Sequence, residues 1–107
     1  MIKHVEKDPY YAVIFTAKFA KDLTGYDKIA EEMFALAKEQ KGFISMESVK
    51  ENGKEITVSY WRTLEDIRNW NINERHQEAK KGGKTKWYEN FTVRICKVER
   101  EYSFGNL

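Results

Sequence analysis

The sequence contains one cysteine, one proline and no long apolar run. The single cysteine, Cys96, excludes a disulfide within the chain and is typical of a reducing compartment. No apolar run approaches the roughly 20 residues that a helix needs to cross a bilayer. The opening segment MIKHVEKDPYY lacks the apolar stretch of a secretory signal. These absences predict a cytoplasmic protein with no membrane partner.

An excess of charge of one sign is also lacking. The 19 Lys and Arg residues nearly balance the 17 Asp and Glu residues, which leaves a net charge of +2. No nucleic-acid partner is therefore predicted. The basic segment Lys80–Lys86 lacks the spacing of a phosphate-binding loop. We interpret it as a solvated loop, with attraction of phosphate as the alternative.

Residues that bind metals are few. The chain has 2 His and 1 Cys, far apart in sequence, and a protein-built metal site needs several such ligands close together. The sequence therefore predicts no metal, and we expect no other cofactor.

Aromatic residues, by contrast, are abundant at 14% of the chain. Each buried aromatic side chain removes about 150–250 Å² from water, so the core of a chain of 107 residues cannot easily absorb them all. Some are expected to line a cavity or to face another chain. The length is that of one domain, which we assign to residues 1–107, with its core at about 10–102.

The apolar pattern predicts the element order β-α-β-β-α-β. Strands are expected at 10–19, 43–51, 55–61 and about 88–102, where β-branched and aromatic residues are enriched. Thr24 and Thr63 begin predicted capping boxes of the two helices. Gly42 is the expected left-handed cap of the first helix, and Asn52-Gly53 predicts a type I′ hairpin turn.

This order is typical of an α+β ferredoxin-like fold with both helices on one face of an antiparallel sheet. Apolar residues nevertheless occur at both alternating positions of the strands. Ile56 and Val58, for example, alternate with Thr57, Ser59 and Trp61. Because helices cover only one face, a second copy of the chain is expected to cover the other. The sequence thus predicts a homodimer.

The second half of the chain carries a family resemblance. From Val58 it reads VSYWRTLEDIRNWNINERHQEAKKGGKTKWYENFTVRICKVEREY. With the order of elements before it, this segment resembles the antibiotic biosynthesis monooxygenase-like family of small dimeric α+β barrel proteins. The matching features are Ser59 and Trp61 at a strand end, the helix start Thr63-Leu64-Glu65, Trp70, His76, Trp87-Tyr88 and the long last strand. The resemblance implies two ferredoxin-like protomers joined sheet to sheet, each with a pocket between its helices and its sheet.

The resemblance also implies an activity, because members of this family insert oxygen without metal or flavin. An electron-rich substrate can reduce O₂ itself once it is deprotonated, so the protein need only desolvate it, orient it and move a proton. The implied function is a cofactor-independent monooxygenase acting on a small hydrophobic, aromatic molecule. Many relatives have no established activity, so a non-catalytic dimeric module that binds a small hydrophobic ligand stays open.

Haem degradation, the activity of one branch of the family, is a less favoured alternative. That branch has an Asn on the first strand, a Trp on the second helix and a His roughly ten residues after the Trp. Trp70 matches the aromatic residue, but Lys80 stands where the His is required. The first strand, YYAVIFTAKF, contains no Asn.

His76 is the candidate catalytic residue, because an imidazole exchanges protons near neutral pH. On one regular helix, His76 and Trp70 would diverge by about 120°. They can share a pocket only if the helix breaks, and Asn71 and Asn73 favour such a break. The alternative is a histidine that caps or bridges a helix end.

Phe15, Trp61 and Trp70 are the residues expected to shape the substrate pocket. For Trp61, packing in the core or at a dimer interface is the alternative, and Phe15 also suits the core.

Two residues of the last strand have more ordinary interpretations. Arg94 could bind a substrate anion, but an ion pair with Glu47 or Asp66, or simple exposure, is favoured. Cys96 is interpreted as a buried apolar residue rather than a nucleophile.

Overall fold

The structure, a computed structural model, describes residues 2–5, 9–82 and 86–106. These residues form six strands and three helices. Their bounds are β1 (Ile2–Val5), β2 (Tyr10–Phe19), α1 (Tyr26–Lys38), β3 (Phe43–Glu51), β4 (Lys54–Trp61), α2 (Leu64–Ile72), α3 (Glu74–Gly82), β5 (Tyr88–Val98) and β6 (Glu101–Phe104). No helix in the described ranges is long and apolar enough to cross a membrane.

The main sheet has four antiparallel strands in the order β3-β4-β2-β5. This is the ferredoxin-like arrangement, and the predicted fold class is confirmed. Helix α1 contacts β3, α2 contacts β4, and α3 contacts both other helices. The predicted second helix is two helices, α2 and α3.

A two-stranded ribbon of β1 and β6 was not predicted. Ile2 pairs with Phe104 and Val5 pairs with Glu101. The expected last strand therefore ends early, at Val98, and the chain resumes as β6 after two residues. The pairing joins segments from opposite ends of the chain, which a local apolar pattern cannot reveal.

Only one of the two threonines predicted to begin a capping box caps its helix. Thr63 Oγ1 accepts a hydrogen bond from the Asp66 backbone N–H at 3.0 Å and caps α2. The prediction at Thr24 is wrong: Gly25 is the N-cap of α1, without a side-chain hydrogen bond. The Thr24 hydroxyl instead donates to Asp22 Oδ1 at 2.6 Å, so a local turn replaces the cap.

The two predicted positive-φ sites are confirmed, although one has a different role. Asn52 and Gly53 have φ values of 52° and 77°, as a type I′ turn requires. Gly42 has a φ of 84°, but α1 already ends at Lys38 and its C-cap is Glu39. Gly42 therefore belongs to the connection into β3 and is not the cap of the helix.

Strand β4 directs Glu55, Thr57 and Ser59 toward the helices, on the same face as Trp61, and directs Ile56 and Val58 away from them. Trp61 packs in the core with Ile67 and Trp70 of α2. Side chains alternate along a strand, so Glu55 and Ser59 share the face of Trp61. Both are 5% exposed. The usual pattern of an apolar inner face and a polar outer face is thus reversed in this strand.

The opposite face, which we call the helix-free face, carries apolar side chains that are open to solvent in the single chain. Ile56 and Val49, which are cross-strand partners there, are 49% and 63% exposed. Arg94, the partner of Ile14, is exposed on this face, whereas Asp66 lies buried in α2. Cys96 is also exposed, so its prediction as a buried residue is wrong.

Candidate functional site

Trp61, Trp70 and His76 form a stack of three rings, which we call the tryptophan–histidine stack. The ring centroids of Trp61 and Trp70 are 6.0 Å apart, and those of Trp70 and His76 are 4.1 Å apart with an angle of 15° between the planes. Trp61 is fully buried, and its Nε1–H donates to Ser59 Oγ at 2.9 Å. Strand β4 and helices α2 and α3 each contribute one ring to the stack.

A break between α2 and α3 makes this stack. Asn73 leaves the helical conformation with ψ at 129°, and its Oδ1 accepts a hydrogen bond from the His76 backbone N–H at 3.2 Å. The break turns α3 so that His76 lies over Trp70, which a continuous helix would prevent. The predicted helix break is confirmed.

The hydrogen bond of His76 indicates its tautomer. His76 Nδ1 lies 2.9 Å from the carbonyl oxygen of Trp70. A carbonyl only accepts, so Nδ1 carries the proton and Nε2 keeps a lone pair. Burial lowers the pKa of His76, the Trp70 carbonyl opposes that effect, and the charge of Lys80 adds to it. The imidazole is therefore neutral at physiological pH and can accept a proton at Nε2.

A second group of polar residues, which we call the tyrosine–glutamate cluster, lies farther along the helix-facing side of β4. Glu55 Oε1 accepts hydrogen bonds from the hydroxyls of Tyr26 and Tyr88, and Oε2 accepts one from Thr57 at 2.8 Å. Burial and the neighbouring Glu55 raise the pKa of both tyrosines. Both phenols therefore stay protonated and continue to donate to the carboxylate.

The structure brings together three of the four predicted site residues. His76, Trp61 and Trp70 are in the stack. Phe15 packs instead on Tyr88 and Phe91, with centroid distances of 5.3 and 5.4 Å, beside the tyrosine–glutamate cluster. Within the described residues, no His, Cys, Asp and Glu side chains form a group placed to hold a metal.

Sequence reasoning missed the tyrosine–glutamate cluster, although the sequence held a signal for it. Glu55 was expected at the first position of a strand with no special role. Glu55, Thr57 and Ser59 share their alternating position with Trp61. A tryptophan in a row of polar residues indicates that the row is buried, since tryptophan is seldom left in solvent.

Two open cavities lie outside these groups. One has a volume of about 490 Å³ and is lined by Pro9, Tyr11, Arg62, Thr63, Leu64 and Lys97. The other, of about 300 Å³, is lined by Thr16, Ala17, Lys18, Lys54, Asn90 and Thr92. His76 lines neither of them. The larger one borders the core around the stack, because Tyr11 packs against the group that contains Trp61 and Trp70.

Comparison with solved structures shows the same fold in proteins of very different sequence. A candidate antibiotic biosynthesis monooxygenase from Nitrosomonas europaea superposes with a TM-score of 0.72 at 12% identity, over 81% of this chain and 88% of that one. SnoaB, a cofactor-independent oxygenase from Streptomyces nogalater, superposes with a TM-score of 0.71 at 8% identity, over 81% and 90%. At such low identity, the likeness establishes the fold.

Comparison of sequences adds a nearer relative. No family model matches the chain. The protein YqjZ of Bacillus subtilis, itself uncharacterised, is 46% identical over 97 residues, which covers 90% of this chain and 85% of YqjZ. The chain therefore belongs to the same family as YqjZ and has the ferredoxin-like fold of the antibiotic biosynthesis monooxygenases.

Proposed function

We propose that this protein is a cofactor-independent monooxygenase that acts on a small hydrophobic, aromatic substrate. The observation that carries the proposal is the geometry of His76, which lies flat on Trp70 with Nδ1 held by a carbonyl. A neutral imidazole fixed in one tautomer against an aromatic wall suits proton abstraction from an aromatic compound. The fold shared with SnoaB, an oxygenase that needs no cofactor, supports this reading.

In the proposed reaction, His76 Nε2 takes a proton from a carbon or oxygen atom attached to the aromatic system. The resulting anion supplies electrons to O₂. One oxygen atom enters the substrate and the other leaves as water. For an anthrone, the balance is anthrone plus O₂ giving anthraquinone plus water, with both hydrogens of the oxidised carbon ending in the water. Trp61 and Trp70 would support His76 from the core side, because Trp61 is fully buried and Trp70 stacks on both Trp61 and His76, and Phe15 would lie at a distance from the reacting atom.

The test is oxygen consumption with a hydroxylated anthrone, followed together with quinone absorbance. His76→Ala should lower kcat by a factor of about 10²–10⁴ if His76 is the general base. Arg68→Ala is the control, because Arg68 is an exposed residue of α2, the helix before the break. Wild-type and His76→Ala proteins with equal rates would rule out this role.

The pH dependence gives a second readout in the same assay. A general base is active when unprotonated, and the pKa of His76 is lowered from 6.5. Activity should therefore persist below pH 6.5 and then fall on further acidification as Nε2 becomes protonated.

A non-catalytic module that binds small hydrophobic ligands is the second candidate. It is favoured by one observation, that neither open cavity is lined by His76. In that case a ligand would bind without oxygen consumption, and its affinity would not follow the titration of His76.

Haem degradation is less favoured. Lys80, at the position where the haem-degrading branch has its His, donates a hydrogen bond to Asn71 Oδ1 at 2.7 Å. Haemin with a reductant belongs in the assay as a further substrate, and we expect its Soret absorbance to remain. A steady loss of that absorbance, abolished in His76→Ala, would make haem the leading substrate.

We further propose that the protein acts as a homodimer in which the helix-free face of one copy packs on that of another. The apolar pair Val49 and Ile56 supports this arrangement, because both side chains are exposed in the single chain.

A further inference from the structure

The cavity of about 490 Å³, which we call the basic groove, combines an apolar lining with two cations. Its volume is in the range of about 300–1,000 Å³ that small-molecule sites occupy. Pro9, Tyr11 and Leu64 supply its apolar surface, and Arg62 and Lys97 supply its charge. Three separate parts of the sheet and helix layer thus meet here: the start of β2, the junction of β4 with α2, and the end of β5.

Both cationic residues lie on backbone that is fixed by hydrogen bonds. Lys97 is the cross-strand partner of Tyr11, so both side chains leave the sheet on the same face. Arg62 follows the last residue of β4, and its backbone N–H donates to the carbonyl of Gly42 at 2.8 Å. The two cations therefore extend from ordered backbone on opposite sides of Tyr11.

Among the residues that the structure describes, those lining the basic groove include no carboxylate. Glu101 accepts a hydrogen bond from the Tyr10 hydroxyl at 2.9 Å. Asp66, in the first turn of α2, is buried against Gly42. Thr63 Oγ1 accepts from the Asp66 backbone N–H, which leaves its own O–H free to donate. The described lining of the groove thus offers hydrogen-bond donors and positive charge.

We propose that the basic groove binds the carboxylate of a small aromatic acid. The guanidinium of Arg62 can pair with a carboxylate through two parallel hydrogen bonds. Tyr11 and Leu64 would contact the aromatic ring of the ligand. Tyr11 also packs against the core group that contains Trp61 and Trp70, so a ligand bound here would lie beside that part of the core. The inference that this ligand is also the substrate rests on the proposed function. The inference that the groove binds it does not.

The test is isothermal titration of the full chain with 2-naphthoate and with its neutral counterpart 2-naphthamide. Naphthoate should bind at least about fivefold more tightly, which corresponds to the ~1 kcal/mol upper range of a solvent-exposed ion pair. Lys97→Gln and Arg62→Gln should each weaken naphthoate binding about three- to fivefold and leave naphthamide binding unchanged. Added salt should reduce the preference for naphthoate, because exposed charges are screened.

Arg94→Gln is the matched control, since it removes one positive charge from the helix-free face. It should bind naphthoate as the wild type does. Equal affinities for the two probes, no binding of naphthoate at millimolar concentration, or equal losses in Arg94→Gln and Lys97→Gln would each overturn the proposal. The proposed function is tested separately: naphthoate binding together with no oxygen consumption in the anthrone assay would support the groove and contradict the monooxygenase activity.

Discussion

At the scale of single residues, the most unusual feature is the buried carboxylate of Glu55. A buried charge is strongly destabilising unless hydrogen bonds replace the lost water. Here three hydroxyl groups do so, those of Tyr26, Thr57 and Tyr88. The cluster therefore stabilises the fold only while its phenols remain protonated.

Tyr88→Phe should lower the free energy of unfolding at neutral pH by about 1.5–3 kcal/mol, the range for a hydrogen bond to a charged group. The pKa of Tyr88 is raised above its usual value of 10.0. Its contribution is therefore fully present below pH 10 and is lost as the pH rises above that value, because the unfolded chain then ionises first. Urea unfolding at neutral and alkaline pH should show a smaller alkaline loss in Tyr88→Phe than in the wild type.

Tyr60→Phe serves as the control for this experiment, because it removes a hydroxyl from the helix-free face, outside the cluster. Equal unfolding free energies for Tyr88→Phe and the wild type at neutral pH would contradict the role assigned to the cluster.

At the scale of elements, the connections around β3 and β4 depend on two glycines with similar backbone angles. Gly42 and Gly53 have φ values of 84° and 77°. A methyl group added at Gly53 would meet nothing within 4 Å, whereas one at Gly42 would lie 1.9 Å from Asp66 Oδ2. At Gly53, the turn requires only a backbone that can adopt positive φ. At Gly42, there must also be no side chain, because Asp66 of α2 packs directly against the glycine.

These two sites separate backbone strain from steric crowding. Gly53→Ala should destabilise the protein by about 1 kcal/mol, because alanine resists positive φ. Gly42→Ala should be worse by a further 1–3 kcal/mol or so, because the buried Asp66 must move. Thermal unfolding of both variants measures the difference, and Gly53→Asn, which tolerates positive φ, should remain near the wild type. Equal stability of the two alanine variants would contradict the conclusion that Asp66 packs closely on Gly42.

At the scale of the whole molecule, the sheet has one face under helices and one apolar face in solvent. Ile56 on the helix-free face and Val93 on the helix-facing side are both 49% exposed. Val93 pairs with Phe15 and Ile56 with Thr16, so these two residues stand on opposite sides of the sheet. Substitutions at these two residues can therefore test the proposed dimer interface, because the two side chains are equally exposed and only Ile56 lies on the helix-free face.

In size-exclusion chromatography with light scattering, the wild type should have twice the 12.7 kDa mass of the chain. Ile56→Lys should shift it toward the monomer, because a charge would be buried against the partner's apolar face. Val93→Lys should remain dimeric. A wild type that is monomeric at micromolar concentration, or a Val93→Lys variant that dissociates while Ile56→Lys does not, would contradict the interface.

Much of the fold could be predicted because its signals are local. The bounds of β2 and β3 follow from runs of β-branched and aromatic residues, and Asn52-Gly53 specifies its turn through backbone angles alone. Asn73 ends α2 and caps α3 by local hydrogen bonds. The candidate site was harder to predict, because its residues come from strands and helices far apart in sequence: His76 and Trp61 meet through Trp70, while Phe15 lies elsewhere.

The sequence by itself determined the β-α-β-β-α-β order of the main sheet and its helices, the hairpin turn and the helix break, since these depend on neighbouring residues. The tertiary structure decided which face of β4 is buried, and with it the position of Glu55 among three hydroxyl groups. It also decided that β1 pairs with β6 and that Arg62 and Lys97 share one groove. Such contacts join residues distant along the chain, and only the packing of helices on a sheet selects them from the many pairings that local patterns allow.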